Sequence, residues 1–322
     1  MNKNFNILSS AVHTLESESK AINETIKLLN EDFSKAVEAV FLTKGRLIVT
    51  GIGKSAHIGQ KIVATLNSTG TPSLFMHAAE AVHGDLGMLT KEDVVLCISK
   101  SGNSPEIKVL VPLLKRDGNI LIGMTGNEAS FLGKNSDFIL NAFVEREADP
   151  NNLAPTTSTT VQLALGDALA VALIGLRQFT ANDFAKFHPG GALGKKLLLR
   201  IGDILDQNNV PRVRPQSSIQ EVIFEISNKR LGVTAVIHNN EIKGIITDGD
   251  IRRMLEKTSD LSALTAEEIM TKNPKSIDIH SKVEDALNLM ESYAITQLVV
   301  TNNDGYAGII HLHDILKEGI VS

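Results

Sequence analysis

The chain has no tryptophan, two tyrosines and a single cysteine among 322 residues, and each shortage removes a class of function. With aromatic residues at 4%, stacking on exposed bases is not a workable mode of recognition. A formal net charge of -5 argues further against nucleic acid as a main partner. The lone thiol, Cys97 in DVVLCIS, cannot found a disulfide framework and reads as a buried core position rather than a nucleophile. The opening stretch MNKNFNILSSAVHTLESESK lacks the continuous apolar centre of a signal peptide. Long hydrophobic runs are missing too. The most apolar segment, VQLALGDALAVALIGL, contains Gln162 and Asp167 and falls short of the roughly 20 apolar residues a membrane span needs. It predicts a buried helix, no membrane partner, and a cytoplasmic protein. What remains is ordinary globular composition, 43% hydrophobic and 21% charged, at a length that allows two domains or one domain with a pair of small modules.

Residues 5–42 place Leu8, Val12, Leu15, Ile22, Ile26, Leu29, Phe33, Val37 and Val40 at helical spacing, which predicts one or two amphipathic helices. From residue 46 the period changes. RLIVTG, SLFMH, DVVLCIS, NILIGMTG and DFILNAF are short β-rich runs, mostly with helix-like segments between them. Near-continuous apolar strands alternating with helices predict an α/β fold, with a doubly wound, mostly parallel five-stranded sheet covered on both faces. Ligands of such sheets bind at the carboxyl ends of the strands. GIGKS, HAAEAVHGD, SKSGNS and TGNE all follow strands closely, so their loops should converge on one crevice.

The loop VTGIGKSAHIGQK has the look of a phosphate cradle, and its neighbours decide which phosphate. A nucleoside-triphosphate loop would require glycine at position 48, which is Ile48. Gly51, Gly53 and Ala56 satisfy the dinucleotide fingerprint, but no Asp or Glu follows between His57 and Ala79 to hold a ribose hydroxyl. A strand-to-helix turn that offers amides, Lys54 and Ser55 to an anion is left. CISKSGNSPEI repeats the device, with Ser99, Ser101 and Ser104 around Gly102 at a helix start. Three hydroxyls suit the three acceptor oxygens of a phosphate monoester, whereas simple capping would need only Ser104. A third hydroxyl cluster, Thr156 to Thr160, opens the long apolar helix; some of it must cap, and its density predicts a polar pocket wall.

The last third of the chain contains a repeat. GVTAVIHNNEIKGIITDGDIRRML matches AITQLVVTNNDGYAGIIHLHDILKEG, with Ile245, Ile246 and Asp250 recurring as Ile309, Ile310 and Asp314. Each copy reads strand, turn, strand, helix, behind an amphipathic helix. The pair resembles a tandem of CBS modules, the Bateman arrangement. That resemblance implies either a spacer or a nucleotide or nucleotide-sugar sensor, with Thr247 and Asp250 on a ribose. The second copy has His311 in place of that threonine.

GIGKSAHIGQK, NSTGTPSLFMHAAEAVHGDLG, SKSGNSPE, LAPTTSTT and FHPGGALGKKLL together resemble a SIS (sugar isomerase) domain. In that order, and followed by a CBS pair, they resemble the D-arabinose 5-phosphate isomerase family, whose most discriminating segments are HGDLG and HPGGALG. The resemblance implies a SIS domain over 1–200 and CBS modules over 201–260 and 261–322. It also implies interconversion of D-ribulose 5-phosphate and D-arabinose 5-phosphate, whose product feeds the octulosonic acid Kdo of lipopolysaccharide or capsule. The chemistry needs a base at the carbon beside the carbonyl and proton movement between two oxygens, with no redox cofactor and no metal.

Gly53, Lys54, Ser55, Ser99, Ser101, Ser104 and Thr157 are the candidate phosphate and substrate residues. Glu106, Glu147, His83 and His188 are the candidate catalytic residues. By position alone Glu106 compensates a helix dipole and Glu147 reads as a solvated charge; both match carboxylates of the family's active site. Either could serve the carbon, and either histidine the oxygens. Glu80 and Asp85 flank His83 and are candidates to orient its ring. Before the LAP motif this chain has Asp149, Pro150, Asn151 and Asn152, where the family shows a Cys-Pro-Leu-Gly-like stretch. The family also implies a homotetramer in which His188 enters a neighbouring subunit's pocket. The rival readings are a SIS isomerase for another sugar phosphate and a non-enzymatic sugar-phosphate sensor with a nucleotide-gated tail.

Overall fold

The computed structural model describes residues 6–257, 260–261 and 264–320. Two compact units divide it, Met1–Phe187 and His188–Ser322. The first begins with α1 (Ile7–Ile26) and α2 (Glu31–Leu42), so the amphipathic stretch forms two helices. Their starts are capped by the side chains of Asn6 and Asn30, which accept the amides of Ser9 and Asp32. Then follow β1 (Leu47–Gly51), α3 (Lys54–Ser68), β2 (Ser73–His77), α4 (Ala78–Ala81), β3 (Val94–Ile98) and α5 (Pro105–Arg116). The unit ends with β4 (Leu121–Thr125), α6 (Phe131–Asn135), β5 (Phe138–Asn141), α7 (Thr157–Leu176) and α8 (Ala181–Phe187).

The five strands lie in the order β2-β1-β3-β4-β5 and pair in parallel throughout. Strands β1, β3 and β4 are buried end to end, which explains their unbroken apolar runs. Alternate residues serve two cores. Leu47, Val49, Leu96 and Ile98 pack with α3 and α7, while Ile48, Val95 and Cys97 pack with Ile107, Leu110 and Leu114 of α5. Cys97 is fully buried, and burial pushes its thiol up to about 12, as a core cysteine's should be. The strand order reverses between β1 and β3, so the loops after these two strands flank the switch-point crevice.

Helix α7 departs from the expected buried helix. One side, including Val161, Leu165, Leu169 and Leu173, packs into the core, yet Val171 and Leu176 are 64% and 47% exposed. The sequence is apolar all round, and among the described residues the sheet and helices α1, α2 and α3 cover one side of it. Starting at Thr157 gives it 20 residues, long and apolar enough by composition to cross a membrane.

The second unit contains α9 (Ala192–Leu198), α10 (Ile201–Ile204), β6 (Arg212–Val213), α11 (Ile219–Lys229), β7 (Val233–His238), β8 (Glu241–Thr247) and α12 (Asp248–Lys257). It continues with α13 (Ala266–Ile269), β9 (Ser276–Asp278), α14 (Val283–Ser292), β10 (Gln297–Asn302), β11 (Gly305–His311) and α15 (Leu312–Lys317). The repeat folds as two three-stranded sheets, β6-β7-β8 and β11-β10-β9, each with an antiparallel hairpin and a short parallel strand. Asn239 and Asn240 adopt φ of 49° and 65°, which a two-residue hairpin turn between β7 and β8 requires. The sequence boundary expected at 200/201 lies beyond the division at Phe187 and His188, because α9 packs on α14. Lys195 pairs with Glu318 at 2.8 Å, and Val283 donates its amide to the Leu199 carbonyl.

Candidate active site

The turn after β1 starts α3 at Gly53, whose φ of 59° and ψ of −130° suit glycine and strain other residues. Lys54 is exposed at the first helical position. The Ser55 hydroxyl, expected to face the ligand, donates to Gln162 Oε1 at 3.1 Å and ties α3 to α7. The turn after β3 is held by its own serines. Ser99 Oγ accepts the Gly102 amide at 3.2 Å, and Ser101 Oγ accepts the Asn103 amide at 3.3 Å. Gly102 has φ of 64°, and a Cβ there would run into the side chain of Ser130, so conformation and space both demand glycine.

Ser104 occupies the cap position of α5, followed by Pro105, but its hydroxyl makes no capping bond. Simple capping therefore does not account for it. Among the described residues, the buried Oγ of Ser104 and Oγ1 of Thr157 have no hydrogen-bond partner. Thr50, His77, Asn119 and Thr234 also leave a buried side-chain atom unpaired. A buried hydroxyl so left costs roughly 1–3 kcal/mol, and the hydroxyls of Ser104 and Thr157 are the two at helix starts.

Glu147 is 1% exposed, which corrects its reading as a solvated charge. Its Oε1 takes the Lys100 ammonium and the Ser158 hydroxyl, each at 2.5 Å. Oε2 accepts the amides of Thr156 at 2.9 Å and Ser158 at 3.0 Å. The carboxylate thus sits on the amino end of α7, where partial positive charge favours it. Burial alone would raise its pKa; Lys100, the Ser158 hydroxyl and the two amides overcome that and hold it down at about 2. The departure from the family's Cys-Pro-Leu-Gly-like stretch leaves the loop ordered. Asn152, at φ 56°, accepts the Glu147 amide at 2.7 Å, and Asp149 accepts those of Leu153 and Ala154.

Glu106 is its opposite. It is half-buried in the first turn of α5 and, among the described residues, has no hydrogen-bond or ion-pair partner. His83 is exposed in the turn after α4; Glu80 contributes only its carbonyl to the His83 amide, and neither Glu80 nor Asp85 bonds the ring. His188 opens the second unit, half-buried, with its carbonyl accepting the Gly191 amide and leaving no room for a Cβ at Gly194. Gly53, Lys54, Ser55, Ser99, Ser101, Ser104, Glu106, Glu147 and Thr157 are thus gathered at the carboxyl end of one sheet.

Read from sequence, Lys100 and Gln162 carry no role in the site, and Ser158 enters only as part of the Thr156–Thr160 cluster. Lys100 stands in SKSGNS, directly after a strand, and that position was its signal. In the tail, Thr247 and Asp250 come together but bind each other. Asp250 is 9% exposed and accepts the Thr247 hydroxyl at 2.6 Å, the Thr247 amide at 2.9 Å and Arg253 at 2.6 Å. Burial would raise its pKa, and Thr247 and Arg253 together lower it. In the second copy His311 Nδ1 accepts the His313 amide, and burial keeps the imidazole below its usual range against the pull of Asp314.

Comparison with known proteins agrees with this layout. The SIS domain family matches residues 41–172, and the CBS domain family matches 201–257 and 266–320. The arabinose 5-phosphate isomerase KdsD of Yersinia pestis is 48% identical over 309 residues, covering 95% of this chain and 94% of the relative. That of Pseudomonas aeruginosa is 46% identical over 324 residues, covering 100% and 99%. The solved structure of the E. coli CFT073 protein c3406 in complex with arabinose 5-phosphate is 43% identical and covers 59% of this chain and 100% of its own, with a TM-score of 0.56. Likeness that runs the whole length of the first two relatives and takes in both units leaves one conclusion: the chain belongs to the arabinose 5-phosphate isomerase family.

Proposed function

We propose that this protein interconverts D-ribulose 5-phosphate and D-arabinose 5-phosphate, in the supply of Kdo for lipopolysaccharide. The observation that carries the reading is near full-length identity to isomerases of that name. The phosphate belongs on the amides after β1 and β3, with Lys54 supplying charge and Ser104 and Thr157 supplying free hydroxyls. Glu106 takes the proton from C2 of the aldose and returns it to C1. The aldehyde oxygen gains a proton and the C2 hydroxyl loses one, through His83 or through His188 of a neighbouring copy. Electrons move only within the substrate, so no oxidant enters. Glu147, already an anion bound on five sides by N–H, O–H and ammonium donors, holds the site rather than exchanging protons.

The active form is a homotetramer. Ile7, Leu8, Leu15 and Ile26 of α1 are 61–75% exposed, and with Val171 and Leu176 they make an apolar surface that copies of the chain would cover. A nucleotide or nucleotide sugar at Thr247 and Asp250 would have to displace part of the network those residues share. The protein acts in the cytoplasm on soluble sugar phosphates.

Incubation of the pure protein with ribulose 5-phosphate in D2O tests the reading. Arabinose 5-phosphate carrying deuterium at C2, seen by NMR, is the expected product. Binding without turnover would replace the isomerase by a sensor.

A further inference from the structure

We propose that Lys100 is a positioning residue for this reaction, clamping the turn after β3 to the buried Glu147 and so fixing Glu106 and the phosphate-holding serines relative to the start of α7. The proposal rests on the isomerase reading above. Lys100 follows β3, and Glu147 lies beyond β5, two strands away in the sheet. Neighbouring strands are about 4.8 Å apart, so the strands that these two loops leave are about 10 Å apart with β4 between them. The Lys100 backbone is anchored at the end of β4, where its carbonyl accepts the Gly126 amide at 3.0 Å and the Thr125 hydroxyl at 3.3 Å. The side chain then crosses to Glu147 Oε1. Immediately downstream come Ser101, Gly102, Ser104 and Glu106; on the far side of the clamp come Ser158 and the unpaired Thr157.

The clamp also sets charge. Among the described residues, Lys100 is the charged group in contact with the Glu147 carboxylate. The start of α7 faces it with the uncharged Thr156 and Ser158, and Asn152 bonds only its backbone. Glu145 and Arg146 are exposed neighbours in sequence, and Asp149 bonds the amides of its own turn. From α1, His13, Glu16, Lys20 and Glu24 line a cleft beside Thr157 without bonding Glu147. Removing the ammonium leaves a desolvated carboxylate with hydroxyl and amide donors alone, so its pKa must rise. Its protonated form gives up an acceptor and releases Ser158. The exposed half of the lysine, at 45%, lets the residue be exchanged without opening the core.

Lys100→Met, Lys100→Gln and Lys100→Arg, assayed as the full chain, test this. The neutral variants should lose about 10- to 100-fold in kcat with KM changed less than about three-fold, as expected for misplaced rather than missing groups. The acid limb of their kcat/KM profile should move to higher pH, and Lys100→Arg should restore both. A 13C-NMR titration of the Glu147 carboxyl, with no substrate present, reads the same change directly. Wild-type turnover and an unmoved Glu147 titration in Lys100→Met would overturn the proposal, as would equal losses in Lys100→Arg and Lys100→Met with unshifted profiles. If the wild-type protein does not isomerise ribulose 5-phosphate, the isomerase reading fails, and the NMR titration alone then decides whether Lys100 controls Glu147.

Discussion

Two helix starts in this molecule are built around a buried carboxylate, and they are finished differently. At α12, Asp250 belongs to the helix it caps, and hydroxyl, amide and guanidinium close around it within a few residues. At α7 the carboxylate is Glu147, brought in from a separate loop, and its cation comes from the turn after β3. Thr271, from outside the helix, adds a longer hydroxyl bond at 3.3 Å, so the first arrangement is closed mostly within its own helix. The second gathers two loops and, among the described residues, still leaves the Thr157 hydroxyl and the Glu106 carboxylate without a partner. The contrast lies between these two carboxylates and not between the two units, since Thr234 in the tail also has a buried hydroxyl without a partner among the described residues. A cap that needs only shape can close on itself, whereas a site that meets a substrate is completed by it.

The sharpest way to break this contrast is Glu106→Gln. The stabilisation Glu106 gives through the helix dipole is only about 0.3–1 kcal/mol, so the unfolding midpoint should move little while kcat falls about 10²- to 10⁴-fold. Steady-state kinetics beside a denaturant titration reads both. A lowered midpoint with normal turnover would move Glu106 to the structural side.

Glu147→Gln should act on stability first. The native carboxyl lies at about 2 and its ordinary value is 4.5, so the stabilisation is complete above pH 4.5 and fades as pH falls towards 2. Linkage puts it at roughly 3 kcal/mol. The stability gap between wild type and variant, measured by denaturant melts, should therefore narrow steadily on acidification below about pH 5. A gap that is constant with pH contradicts the assignment.

Asp250→Asn sharpens the comparison from the tail. Loss of one charge from a local cap should cost about 1–2 kcal/mol and leave turnover within about two-fold. Asp314→Asn should cost less still, since Asp314 reaches its partners only at 3.2 and 3.5 Å. A kinetic defect from Asp250→Asn in the absence of added nucleotide would mean the two units share more than a chain.

The order of these regions was visible in the sequence to different degrees. The apolar runs of β1, β3 and β4 foretold the parallel sheet because strands buried on both faces have no polar alternation to hide, while the outer strands β2 and β5 are only partly buried. The crevice loops followed from topology alone. The state of Glu147 did not, since its partners come from residues 100 and 156–158 and nothing in EREADPNN announces them. The Ser55–Gln162 bond was not legible, because the loop pattern is local and Gln162 lies far along the chain. The outward side of α7 was hidden by its own uniformity, for an evenly apolar helix gives no clue to which face is covered. The strands β6 and β9, two and three residues long, are too short to carry a period.

Helix α9 has a bearing on how such an enzyme can be shortened. Its packing on α14, the Lys195–Glu318 pair and the Leu199–Val283 bond mean that a cut just after Leu198 would strand an orphaned, half-greasy peptide. Trimming back to Phe187 gives a cleaner end but removes His188 with it. The seam between enzyme and tail is thus a poor place for scissors, and a minimal fragment that keeps HPGGALG has to bring a substitute footing for it.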